Sequence, residues 1–270
     1  MRKIFDTFLF YDEDLMLDFR MNVLDQYVDF FVFAECDHDF NGNFKGFNFK
    51  IKNFLKFKKK IIYLKHFFRD HSILKRDGWL VHNQTRDILI DGLNKASNED
   101  IIIHSDIDEI PNLVNLNKNL IKDKIYVFEQ KMYYFKFNLL ETSHSWRWAK
   151  MCKKKLINSF SNLRWIKGKK YSYFRLDTYF RKNHLRNIEI IYNGGWHFTY
   201  IKSLEDIKKK LNSVVERGHK EYTLVFLKDS IKKRINFLHR FLTKLKKVKI
   251  DNNFPDYLLK NRDKYKKFIE

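Results

Sequence analysis

Residues 100–111 read Asp100-Ile101-Ile102-Ile103-His104-Ser105-Asp106-Ile107-Asp108-Glu109-Ile110-Pro111. Three consecutive β-branched residues after the polar Asn98-Glu99-Asp100 predict a short strand buried on both faces, as in the middle of a parallel sheet. Acidic residues crowd its C-terminal end, where open α/β sheets receive ligands. Pro111 then stops simple continuation of the ladder. In extended backbone, residues i and i+2 point to the same side, so Asp106 and Asp108 can converge on one cation while Ile107 points away. Their hard oxygens suit Mg²⁺ or Mn²⁺, ions that keep positions open for substrate phosphates. An acidic triplet is also an ordinary solvated turn, and this one gains weight from the buried run that leads into it.

The pattern extends outward in both directions. Upstream, Ile4 to Phe10 reads as a buried strand. A helix follows from about Asp12, with Met16, Phe19, Val23 and Tyr27 at spacings of three and four and with Glu13 and Asp14 in its first turn. Phe30 to Glu35 and Ile61 to Leu64 read as further strands, separated by a turn at Asn41-Gly42-Asn43 and a Lys-rich stretch from Lys50 to Lys60. His82 to Leu93 is helical in pattern. This alternation predicts parallel βαβ units.

Downstream, Ile125 to Phe137 is another strand-like run, while Ser143 to Arg181 is rich in Trp, Tyr and Arg without a clean period. Gly194-Gly195-Trp196-His197-Phe198 pairs two conformationally free glycines with an imidazole among large rings, a metal or phosphate ligand or a core histidine. Ser203 opens a helix through capping-box-like spacing to Asp206, with Ile207, Leu211, Val214 and Val215 apolar and Gly218 as its stop. From Ile231 to Val248, Ile235, Leu238, Phe241, Leu242 and Leu245 recur at three and four between many lysines. The spacing predicts a basic amphipathic helix that either lies on an anionic membrane or packs on the domain.

Composition narrows the class. The 270 residues are 44% hydrophobic and 17% aromatic, which excludes a disordered chain. The net charge of +21 favours an anionic partner. Cys36 and Cys152 lack metal-binding or framework spacing, pointing to a reducing compartment. No apolar run approaches the ~20 residues of a membrane span. Asp6, Asp12, Glu13 and Asp14 interrupt any signal-peptide core after Met1-Arg2-Lys3.

Several blocks together resemble glycosyltransferase family 17, the family of β-1,4-N-acetylglucosaminyltransferases that add bisecting GlcNAc. They are Phe5-Asp6-Thr7-Phe8 with Glu13, Leu15, Leu17, Arg20 and Leu24; Val32-Phe33-Ala34-Glu35 with Phe40, Asn41-Gly42 and Lys45; Gln84-Thr85-Arg86-Asp87 with Gly92-Leu93; residues 100–111; and Gly195-Trp196-His197-Phe198-Thr199-Tyr200. Lys209 or Lys210, Ser213 and His219-Lys220-Glu221 fall where the family has its next helix. The motifs run from about residue 3 to 222. His82 stands where the family pattern has an acidic residue, and Ser143 to Arg181 does not align.

The resemblance implies a GT-A-like (Rossmann-like) α/β fold with a mixed sheet flanked by helices, spanning residues 1–225; outside it, the apolar spacing gives a basic amphipathic helical C-terminal appendage over 226–270. It implies a nucleotide-sugar donor, UDP-linked and carrying GlcNAc, with Mn²⁺ or Mg²⁺ held by Asp106, Asp108 and His197. Glu35, Arg86 and Trp196 join the two carboxylates as donor-binding candidates. Inverting transfer needs one general base for the acceptor hydroxyl, and Glu109, Glu141, Asp177 and Glu221 are the carboxylates considered for it. Trp146, Trp148 and Trp196 can stack on sugars or fill a core. The acceptor is a glycan, lipid-linked if the C-terminal helix lies on a membrane, and the expected setting is cytoplasmic or membrane-peripheral. The rival readings are a metal-dependent nuclease or other phosphoryl-transfer enzyme, and a non-catalytic module binding membrane or RNA through its charge.

Overall fold

The computed structural model describes residues 2–39, 42–69, 78–172, 174–175, 184–185, 187–213, 222–238 and 242–270. Its first half is the expected alternation. Strand β1 (Ile4–Leu9) leads into helix α1 (Asp14–Leu24), followed by β2 (Phe30–Cys36), β3 (Ile61–His66), helix α2 (Gly78–Asp87) with a 3₁₀ continuation to Leu93, and β4 (Ile101–His104). These strands run parallel in the order β3-β2-β1-β4.

Strand alternation sends side chains to two faces, and both are buried. Ile4 and Phe8 of β1 with Ile101 and Ile103 of β4 meet Met16, Leu17, Phe19 and Leu24 of α1 on one face. Phe5 and Ile102 meet Leu89 and Leu93 on the other. Cys152 lies in that second layer, and both cysteines are free and buried.

Beyond β4 the chain shuttles between two sheets. The strands are β5 (Glu109–Pro111), β6 (Ile125–Phe128), β7 (Gln130–Tyr134), β8 (Leu139–Trp146), β9 (Lys150–Lys153), then, after helix α3 (Phe160–Trp165), β10 (Ile188–Ile191) and β11 (Gly195–Thr199). The first sheet has the order β10-β6-β9-β4-β1-β2-β3 and mixed directions; β5, β7, β8 and β11 belong to a second, smaller sheet. The run expected as one strand from Ile125 to Phe137 is thus two strands in different sheets. It breaks at Glu129, whose N–H bonds Ile191 and whose carbonyl accepts from Gly194. Helix α4 (Leu204–Ser213) follows, capped as expected by Ser203, whose Oγ accepts from Asp206 N at 3.1 Å; Val214, Val215 and the stop at Gly218 lie outside the described residues.

The C-terminal expectation needs correcting. Helix α5 (Leu224–Lys232) covers only Ile231 and Lys232 of the stretch read as continuous helix to Val248, and ends before Arg234, which takes a left-handed conformation at φ 57°. Short strands β12 (Ile235–Asn236), β13 (Thr243–Lys244) and β14 (Lys246–Lys247) follow, then helix α6 (Asp256–Lys260). Leu245 is buried between exposed Lys244 and Lys246, a period of two that the three-and-four count had absorbed into a helix. β14 pairs with β8, so this segment is built into the second sheet rather than hanging from it as a helical appendage.

Candidate active site

The acidic turn sits where β4 of the first sheet passes into β5 of the second. Arg20, projecting from α1, fixes it from below. Its guanidinium donates to both oxygens of Asp6, at 2.8 and 2.6 Å, and this pair is fully buried. The remaining donors reach the carbonyls of Asp106 (2.9 Å), Ile107 (3.2 Å) and Glu109 (2.8 Å) and the Ser105 hydroxyl (2.7 Å). A buried ion pair holds only when its spare donors are satisfied, and here they are satisfied by the backbone of the turn itself.

Above it, Asp106 is gripped by two arginines from helices far apart in the chain. Arg86 Nη2 of α2 lies 2.7 Å from Oδ1, and Arg164 Nη2 of α3 lies 2.6 Å from Oδ2. Desolvation raises the Asp106 carboxyl, but Arg164 and then Arg86 overcome it and hold the group well below the usual carboxylate range. Arg164 also forks onto Glu109 at 2.6 and 2.7 Å. Its burial is opposed by those two carboxylates, Asp106 first, which raise its pKa.

Asp108 belongs to a second group of partners. His197 Nε2 lies 3.4 Å from Oδ1 and Lys210 Nζ of α4 lies 3.8 Å from Oδ2. Burial pushes the Asp108 carboxyl up, and His197 and Lys210 outweigh it to bring the pKa down to about 2. His197 stands opposite Glu109 in the antiparallel β11–β5 register. That register requires Gly195, whose φ is +134° and whose added Cβ would lie 2.2 Å from the Ile110 carbonyl. The Trp146 ring lies 4.7 Å from the His197 ring, centroid to centroid. Lys210 also lies 3.7 Å from Glu13 and over the Tyr200 ring, and Lys202 pairs with Asp12.

The donor set accommodates a divalent ion only in part. Among the described residues Asp108 has only these long contacts as ion pairs, and His197 turns Nε2 towards its Oδ1 with no shorter bond between them, so this pair fits a metal; the buried Nδ1 of His197 has no hydrogen-bond partner among the described residues. Asp106 has both oxygens committed to guanidinium groups. Among the described residues only Cys36, Asp37 and His38 bring three ligand atoms within 4.8 Å of one another. Those three already bond to each other, with His38 Nδ1 2.7 Å and Cys36 Sγ 3.7 Å from Asp37 Oδ1, which also accepts from Phe68 N.

Other expected residues take different positions. Glu35 accepts from Lys45 Nζ and Asn48 N at 2.7 Å, Tyr63 Oη at 2.8 Å and Phe49 N at 3.2 Å. A carboxylate offers about four acceptor sites, so Glu35 shapes the 45–49 loop and has none left for a nucleoside. Trp196 lies in the core with Nε1 bonded to the Asn253 carbonyl, on the strand face opposite His197. Glu109 accepts from Arg164 twice, from Asp106 N and from Trp146 Nε1. Glu141 accepts from Ser143 N, Asn236 Nδ2 and Thr243 Oγ1. Occupied in this way, neither is placed to take an acceptor proton. Asp177 and Glu221 lie outside the described residues.

Arg164 and the packing of Trp146 on His197 were not foreseen. Arg164 comes from the segment without a period, where Ser159 caps a one-and-a-half-turn helix through Asn162 N; a Ser followed by Phe160 and Leu163 three apart was the only signal. Lys210 had appeared only as one of two lysines in the helix after the Trp-His-Phe block. Compared with known families, residues 1–269 match Glycosyltransferase family 17, well beyond residue 222 where the motifs stopped, and no individual curated protein matches.

Proposed function

From the chain's membership of glycosyltransferase family 17, the bisecting GlcNAc transferase family, we propose that it transfers GlcNAc from a UDP-linked donor to a glycan acceptor, with inversion and with Mn²⁺ or Mg²⁺. A glycosyltransferase takes its sugar from a nucleotide sugar and hands it to a glycan. The observation that carries the finer reading is the convergence on one acidic turn of Arg86, Arg164, Lys210 and His197, brought there by three helices and a strand. Parallel β3-β2-β1-β4 order with that turn at the C-terminal end of β4 supports a GT-A-like reading of the fold.

The chemistry that this arrangement serves is departure of a nucleoside diphosphate. Negative charge grows on the leaving phosphate, and fixed cations aimed at it lower the barrier without reorganising. Arg86 and Arg164 are held rigidly by Asp106 and Glu109, so their charge is in place before a substrate arrives. Lys210 is shared between Asp108 and Glu13 and can turn to a phosphate without crossing the site. Asp108 and His197 would hold the divalent ion, which when bound supplies Lewis-acid stabilisation to the diphosphate. Asp177 and Glu221, outside the described residues, stay as the base candidates carried from the family resemblance. Phosphoryl transfer to or from nucleic acid is not favoured by the family.

Thermal unfolding in the presence of UDP-, GDP-, CMP- and dTDP-sugars, each with and without Mn²⁺, tests this directly, because a ligand bound only by the native state raises the melting temperature. A rise that needs both UDP-GlcNAc and the metal, and that vanishes in Asp108→Asn, is the expected result. A rise independent of metal would remove the ion from the reading, and none with any nucleotide sugar would count against the donor site.

A further inference from the structure

Among the described residues, the apolar side chains most open to solvent in the C-terminal quarter lie in its most lysine-rich stretch. On α5, Val225 is 79% exposed, Phe226 44% and Leu224 39%, and just before β13 Leu242 is 74% exposed. The two groups are continuous: the Phe226 ring lies 5.2 Å from that of Phe237, which follows Asn236, and Asn236 pairs with Thr243 next to Leu242. From Tyr222 to Lys249 the sequence has nine Lys or Arg and a single acidic residue, Asp229. Lys233 and Lys244 line a groove with Leu242, and Lys228, Lys232 and Lys246 are exposed around it.

We infer that this face docks on an anionic membrane surface. An apolar tip ringed by lysines has two separate means of holding a lipid interface: insertion of Val225, Phe226 and Leu242 at the acyl boundary, and attraction of the ammonium groups to acidic headgroups. A nucleic acid would use the lysines and gain nothing from exposed Val and Leu. The face is assembled from a helix and a hairpin, so it does not need the continuous amphipathic helix that the sequence had suggested. Among the described residues no helix is long and apolar enough to cross a membrane, and docking is peripheral. Its place is informative as well. Leu227 of α5 packs with Ile207 and Leu211 of α4, the helix that carries Lys210 to the acidic turn. A docked face therefore sits one helix away from the site, and if the chain acts as proposed, an acceptor anchored in lipid lies on the same side. The docking itself does not depend on that activity.

Co-sedimentation of the full chain with vesicles of phosphatidylglycerol and phosphatidylcholine, and with phosphatidylcholine alone, tests the inference. Binding is expected to the anionic vesicles and to weaken with salt. Val225→Ser with Leu242→Ser, both too exposed to disturb folding, should reduce it at least about tenfold, since the loss of as few as two buried methylene equivalents at the interface is worth that factor. Lys232→Glu with Lys244→Glu and Lys246→Glu should reduce it by at least ~100-fold at low salt. The control is Lys52→Glu with Lys56→Glu and Lys59→Glu, in the other lysine-rich stretch, where Leu55 is also exposed. That triple variant should bind as the parent does. Equal loss in the two triple variants would mean net charge alone is responsible and would overturn the inference. So would unchanged binding by the Val225/Leu242 variant, or no binding by the parent chain.

Discussion

Arg164→Met is the most informative single change. Arg164 spans Asp106 and Glu109, and the two limbs differ in worth. Glu109 is fully buried and bound by Arg164 at 2.6 and 2.7 Å, whereas the Asp106 side chain is 36% exposed. Removing the guanidinium strands a buried carboxylate with only the Trp146 and Asp106 N–H donors, at a cost of about 3 kcal/mol, the low end for a broken buried pair. The exposed limb adds little. A loss of about 3 kcal/mol is a large part of the ~5–15 kcal/mol that holds a domain together, and it should lower the melting temperature by roughly 6–12 °C. Glu109→Gln alone should cost about 1–2 kcal/mol, because Arg164 keeps Asp106. The double variant should be more stable than the sum predicts, with a coupling of about 2 kcal/mol, because the neutral amide introduced by Glu109→Gln needs no counter-ion. Urea unfolding of the four proteins gives the cycle, and donor turnover should stay lost in the double variant if Arg164 also faces the leaving phosphate. Additive costs would show that the two side chains do not hold each other and would refute the clamp.

Gly195→Ala should be among the most damaging small substitutions, at about 3 kcal/mol or more, since it combines a positive φ with a 2.2 Å approach to Ile110; thermal unfolding measures it. Trp196→Phe should cost stability and leave turnover largely intact, whereas Trp146→Phe, which removes the Nε1 donor to Glu109, should lower turnover with a smaller loss of stability; the two effects reversed would misplace both rings. Glu141→Gln should retain activity and change the acid response. Burial raises the Glu141 carboxyl, and the Thr243 and Asn236 hydrogen bonds outweigh it to bring it from 4.5 to about 2. A depressed carboxyl stabilises the fold above its unfolded pKa and ceases to do so as pH falls through the folded value. The parent's advantage over Glu141→Gln should be full above about pH 4.5 and fade towards pH 2, as read by urea unfolding at several pH values.

The strands and the acidic turn were legible because burial on both faces leaves a near-continuous apolar signature that polar residues can only end. Ile101-Ile102-Ile103 is such a run, and Arg86, Asp106, Asp108 and His197 meet at the end of it. What escaped was information that lives in register and in distance. Trp196 and His197 are adjacent in one strand and must face opposite sides, so the motif could never supply both to one pocket, but only the pairing with β5 shows which of them faces the turn. Glu35 and Glu109 announce themselves as carboxylates, while the cationic side chains that occupy them lie 10 and 55 residues away. Arg164 sits in a helix too short to carry a period. From Ile231 to Val248 the apolar residues are dense enough to satisfy a helical count while the backbone makes a hairpin.

Among the described strands the chain passes five times between the two sheets: from β4 to β5, β5 to β6, β6 to β7, β8 to β9 and β10 to β11. Asp106 and Asp108 lie on the first of these passages. Asp106 answers to helices laid on the larger sheet, Asp108 to β11 of the smaller sheet and to α4. A cleft between two lobes joined by one linker can open like a book, but a seam stitched five times has no spine to turn on. The two carboxylates are therefore anchored by both sheets at once, Asp106 through helices on the larger and Asp108 through β11 of the smaller.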